Sequence, residues 1–172
     1  MNTECYKSFY ENLTRKIKTS QTVVKAITRA DKILAWGFSL AYPIFLAIVL
    51  FSRPFDLLFT ANVVGLPALC FLCVTLLRRL IHRPRPYEKT GAGIDPLISK
   101  RGENNSMPSR HVASAFVIGT VILTQSTVFG VIALVCASAL GFLRFLEGVH
   151  YTTDLIVGAL LGAAFGSVGF LF

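Results

Sequence analysis

The 172-residue chain is 53% hydrophobic with a mean hydropathy of +0.62. That is too apolar for an ordinary soluble domain and fits a single membrane domain. Its formal net charge of +8 gathers in the first 32 residues and around three short clusters. This pattern argues for anionic lipid and a phosphorylated ligand, and against nucleic acid.

Residues 1–32 read as an amphipathic basic helical segment. Tyr6, Phe9, Tyr10, Leu13 and Ile17 form one stripe at helical spacing, with Lys7, Arg15, Lys16 and Lys18 off it. The stripe predicts a helix lying on the membrane surface in contact with anionic lipid. Thr19-Ser20-Gln21 should break it, with Ser20 the N-cap of a second helix. Residues 1–30 are polar, so no signal peptide is expected.

Residues 33–172 read as the transmembrane domain. Five apolar segments, about 33–51, 56–77, 109–125, 128–145 and 153–171, each approach the ~20 residues needed to cross hydrocarbon. Ser52-Arg53-Pro54 makes the first turn, and residues 78–108 form a long polar loop. Trp36 and Tyr42 are interface or packing aromatics. Cys70 and Cys73 form a C-x-x-C inside an apolar run, where small packing residues are a better reading than zinc or redox chemistry. Gly158, Gly162 and Gly166 form a row that lets helices pack closely in lipid. The expected fold is an all-α integral membrane bundle of about five transmembrane helices plus an N-terminal amphipathic interfacial helix.

Three clusters carry the chemistry: Arg78–Pro86 (RRLIHRPRP), Pro108–His111 (PSRH) and Arg144–Asp154 (RFLEGVHYTTD). With five crossings, all three fall on one membrane face, together with the N-terminal helix. Ionisable groups at membrane depth are costly unless they face a polar cavity, so together they define a functional-site hypothesis. His150 and Asp154, four apart, share a face if helical. Asp154 can then fix the imidazole tautomer and make His150 a nucleophile towards phosphorus. Arg144 can return to the same phosphate. Ser109 opens a helix whose free N–H groups and dipole favour an anion. His111, in its first turn, suits a general acid. Arg78 and Arg85, seven apart, face one way if the helix continues, and guanidinium groups stabilise phosphoryl-transfer charge. A metal held by His111, His150 and Asp154 is disfavoured, because the arginines would repel a cation.

These residues resemble the type 2 phosphatidic acid phosphatase superfamily, the membrane lipid phosphatases related to vanadium haloperoxidases. The family pattern is K-x6-R-P, P-S-G-H and S-R-x5-H-x3-D. The chain reads R-x6-R-P at Arg78–Pro86, P-S-R-H at Pro108–His111 and L-R-x5-H-x3-D at Leu143–Asp154. The resemblance covers about residues 56–172. It implies that His150 attacks phosphorus to give a phosphohistidine and that Asp154 orients it. It also implies that His111 protonates the leaving group and then activates water. Arg78, Arg85, Ser109 and Arg144, with the backbone N–H of Arg110, would bind the phosphate. No metal or other cofactor is implied. Arg78 replaces a lysine, Arg110 a glycine and Leu143 a serine, changes that bear on substrate preference. The family often has six spans, the first here replaced by the N-terminal helix.

The expected function is a lipid phosphatase acting on a polyprenyl diphosphate, phosphatidic acid or phosphatidylglycerol phosphate. The rivals are a lipid phosphoryl or headgroup transferase and a non-catalytic lipid-phosphate binder or carrier. All but Arg53 of the 17 Lys and Arg lie on the site's side. The positive-inside rule therefore predicts a multi-pass cell-membrane protein with a cytoplasmic site, although many bacterial relatives of this kind work on the outer face. Glu88, Asp95, Glu103, Asn104 and Asn105 in the long loop are equally readable as a gate over the site or as ordinary solvated loop.

Overall fold

The computed structural model describes residues 3–52, 54–88, 90–98 and 105–171. Among these, the regular secondary structure is all helical. The order is α1 (Thr3–Lys18), α2 (Gln21–Phe51), α3 (Leu57–Thr60), a π-helical turn (Ala61–Gly65), α4 (Leu66–Ile81), α5 (Arg110–Gln125), α6 (Thr127–Leu146) and α7 (Thr152–Ser167), closed by a 3-10 turn. Arg53, Glu103 and Asn104 lie outside the described residues.

Four helical stretches are long and apolar enough to cross a membrane: Gln21–Phe51, Leu57–Ile81, Thr127–Leu146 and Thr152–Phe170. Of the five expected spans, the third becomes α5, which has only 16 residues. It sits at the centre, packed by α4, α6 and α7. Val112, Ala113, Ala115, Val117 and Val121 are buried there against protein rather than lipid. The first span is longer than expected. It begins at Gln21, with Ser20 in extended conformation at its N-cap position but making no side-chain capping bond. At 1.5 Å per residue α2 is about 46 Å long, so its polar first turns project beyond the hydrocarbon on the site's side.

Local sequence explains the second span. Pro67 lacks an N–H, which leaves the carbonyl of Val63 without its helical donor. The chain widens into a π turn at this point. The Tyr42 hydroxyl of α2 donates to that Val63 carbonyl. The helix ends at Ile81, and His82 adopts φ 46°, the left-handed stop. Arg85 therefore leaves the helical register, and the expected two-turn alignment of Arg78 with Arg85 does not form.

The glycine row of α7 packs on α5. A Cβ at Gly162 would lie 2.4 Å from the Ala113 carbonyl, and one at Gly158 would lie 2.8 Å from the Ser109 carbonyl. Glycine lets the two backbones touch, and this fixes the start of α7 against the start of α5.

The N-terminal stripe divides. Tyr6, Tyr10 and Thr14 are buried, while Phe9 and Leu13 remain exposed. The buried half packs on the protein's own loops at Ala92, Ile94 and Tyr151 rather than on lipid. Tyr10 donates to the Leu146 carbonyl at 2.7 Å, and Tyr6 reaches the His150 carbonyl at 3.4 Å. Lys18 closes the far end on Asp95 at 2.9 Å. Gly148, at φ +76°, passes beneath Tyr10, where a Cβ would meet the hydroxyl at 2.7 Å.

Candidate active site

The ends of α4, α5, α6 and α7 and the loops between them meet in one polar centre. Its base is Asp154, fully buried in the first turn of α7. One carboxylate oxygen pairs with Arg83 Nη1 at 2.7 Å. The other accepts from the Tyr151 N–H at 3.0 Å and from the Ser106 hydroxyl. The backbone closes the same knot, because the Ser109 N–H donates to the Asp154 carbonyl at 3.0 Å.

His150 is 2% exposed. It precedes α7, so its relation to Asp154 is not the expected one across a single helix face. Nδ1 stands 3.7 Å from Asp154 Oδ2, too far for a hydrogen bond. Ser106 Oγ lies between, 3.4 Å from Nδ1. Asp154 thus orients the ring largely through Ser106, and Nε2 is left on the opposite edge. Burial pushes the His150 imidazole down to about 4, reinforced by the positive charges of Arg85 and Arg78 and opposed by Asp154. The ring is neutral at physiological pH, the state in which a nitrogen lone pair can attack.

The arginines divide the work differently from the sequence expectation. Arg78 donates to the carbonyls of Asn105, Ser106 (3.1 Å) and Pro108 (2.8 Å). It braces the strand of loop that carries Ser106 and Ser109. Arg83 lies 4.1 Å above the Tyr151 ring and also donates to Thr153 at 2.8 Å. Ser109 Oγ and Arg85 Nε are buried without a hydrogen-bond partner among the described residues. Both are groups suited to a phosphoryl oxygen.

His111, Arg110 and Arg144 open towards α2. His111 and Arg144 share a cavity of about 310 Å³ with Asp31, Lys32, Trp36 and Ser39. His111 and Arg110 also line an adjoining cavity of about 340 Å³ walled by Phe38, Phe71, Ile118 and Leu140. The eight expected residues therefore form two neighbouring groups, joined through the first turn of α5. Sequence reasoning missed Arg83, Ser106 and Asp31. Only Arg83 had a visible signal, since the R-P pair occurs twice in RRLIHRPRP.

Fold and site together define a multi-pass helical membrane protein with an arginine- and histidine-rich centre at one end of its bundle. The PAP2 superfamily pattern matches residues 57–172, and the chain belongs to that family. It is 44% identical over 59 residues, 34% of its length, to the bacitracin transport permease protein BcrC of Bacillus licheniformis, and the match spans 29% of that protein. The fold is similar to Aquifex aeolicus LpxE, with TM-score 0.68 and 25% identity over 94% of each chain. It also resembles the transmembrane PAP2-type phosphatidylglycerolphosphate phosphatase of Bacillus subtilis, with TM-score 0.73 and 23% identity over 98% of this chain and 86% of that one.

Proposed function

We propose that the chain is a membrane lipid phosphatase that hydrolyses a phosphomonoester or diphosphate of a lipid through a phosphohistidine, without a metal ion. The observation that carries this reading is the buried neutral His150, backed by Ser106 and Asp154. Membership of the PAP2 superfamily and the likeness to a phosphatidylglycerolphosphate phosphatase support it.

His150 Nε2 attacks phosphorus as the bond to the leaving oxygen breaks, and Nδ1–H leans on Ser106 and Asp154 as charge develops. His111 gives its proton to the leaving oxygen, then takes one from the water that cleaves the P–N bond. Free phosphate leaves and His150 is regenerated. Arg85, Ser109, Arg144 and the Arg110 N–H hold the phosphoryl oxygens, while Arg78 acts from behind through the loop it braces. The arginines supply the positive charge a metal would otherwise bring. The apolar wall beside His111 suits the lipid portion of a phosphatidate, phosphatidylglycerol phosphate or polyprenyl diphosphate. Phe9 and Leu13, with Lys7, Arg15 and Lys16 exposed beside them, suit contact with anionic lipid.

Phosphate release from a panel of these lipids, by detergent-purified protein in EDTA, tests the reading. Turnover should resist chelation and fall at least ~10³-fold in His150→Ala. Full activity in that variant would exclude the mechanism. Binding without turnover in the parent protein would favour a carrier.

A further inference from the structure

Arg144 is 7% exposed. Its Nε meets Asp31 Oδ1 of α2 at 2.7 Å, and Asp31 is itself only 4% exposed. The contact is an ion pair without hydrogen-bond alignment, so charge holds it rather than a directional bond. A buried guanidinium cannot stand without an anion nearby. A phosphate ligand therefore needs a counter-ion whenever no phosphate is bound.

We propose that Asp31 is that counter-ion. It is a positioning residue that occupies Arg144 in the empty enzyme and yields it to the phosphoryl group. Two features support exchange rather than a permanent pair. The two side chains line the same cavity as His111, so a bound phosphate would meet Asp31 as a like charge. The pair lacks the aligned, bidentate geometry of a fixed arginine–carboxylate brace. By this exchange the chain weakens its grip on phosphate, which eases release of the product.

The inference rests on reading Arg144 as a phosphate ligand, and its test does not need turnover. Apparent affinity falls in proportion to the time a binding group is engaged elsewhere. Asp31→Asn should therefore tighten inorganic phosphate about tenfold. The dissociation constant is taken from the rise of the melting temperature of purified protein with phosphate concentration. In an Arg144→Gln background the same substitution should tighten phosphate much less, because only the like-charge repulsion is then removed. With lipid substrate, KM and the inhibition constant of phosphate should fall together in Asp31→Asn, whereas merely structural damage would raise both. Unchanged or weaker phosphate affinity, or equal tightening without Arg144, overturns the proposal. If Asp31→Asn is unstable alone, phosphate should restore its fold, and failure of phosphate to do so counts equally against it. Absence of lipid turnover in the parent protein would sink the phosphatase reading and leave this binding result standing.

Discussion

At the scale of single residues, the centre works by making one histidine unusually reluctant to take a proton. His150 loses solvent on every side and faces Arg85 and Arg78, while Asp154 acts largely through Ser106. Its imidazole, at about 4 rather than the ordinary 6.5, stays unprotonated as pH falls through the range where an exposed histidine would charge. Because kcat/KM reports the free enzyme, the role proposed for His150 predicts an acid limb nearer pH 4 than 6.5. The profile should be taken with the substrate's own ionisation subtracted, and a limb at 6.5 would contradict the geometry. The stability consequence has a definite sign. The unfolded chain binds the extra proton between pH 6.5 and 4, so His150 costs no stability above 6.5 and progressively destabilises the fold as pH drops towards 4.

At the scale of elements, the precision of the centre comes from backbone contact between α5 and α7. Gly162→Ala would push a methyl to within 2.4 Å of the Ala113 carbonyl. The helices must part, drawing Asp154 away from the Ser109 N–H it fixes through its own carbonyl. We expect a loss of about 1–3 kcal/mol and reduced kcat, read by thermal melting in detergent and by turnover. Gly37→Ala, with nothing within 4 Å of its Cβ, should do neither. Element identity was legible in the sequence because the apolar runs and the glycine row are local signals, whereas the breaks at Pro67 and His82 lay within or beside runs read as continuous. That His150, Asp154 and Ser109 gather in one place was legible because their spacing is a pattern. The choice of partner was not. Tyr6 and Tyr10 announce a face that will be buried, but periodicity does not say whether lipid or a loop more than a hundred residues away will cover it. Ser106 looked like any loop serine, and Asp31 looked like the solvated end of a basic segment. Their roles arise only when α2, α4 and α7 converge.

At the scale of the molecule, one end of the bundle carries the candidate centre together with the lysines and arginines of the described residues. The positive-inside rule would set that end in the cytoplasm. With Cys5, Cys70, Cys73 and Cys136 replaced, Thr90→Cys on the site side should resist an impermeant thiol reagent in intact cells and react after permeabilisation. Ser52→Cys, at the opposite end, should react without it. The reverse pattern would turn the protein over.

The tyrosine clasp of α1 has a consequence for how the protein is made. Tyr10 and Tyr6 reach partners 136 and 144 positions further along the chain. A ribosome adds about 5–20 residues per second, so α1 waits on the order of ten seconds before its seat exists. During that interval two tyrosines destined for complete burial have only water or the membrane surface to rest on. α1 is thus made early and secured late, and His150 acquires its roof only after residues 146–151 have emerged. A nascent or truncated chain can hold most of its membrane helices and still have no working centre. Assembly of the candidate centre therefore waits on residues made long after α1.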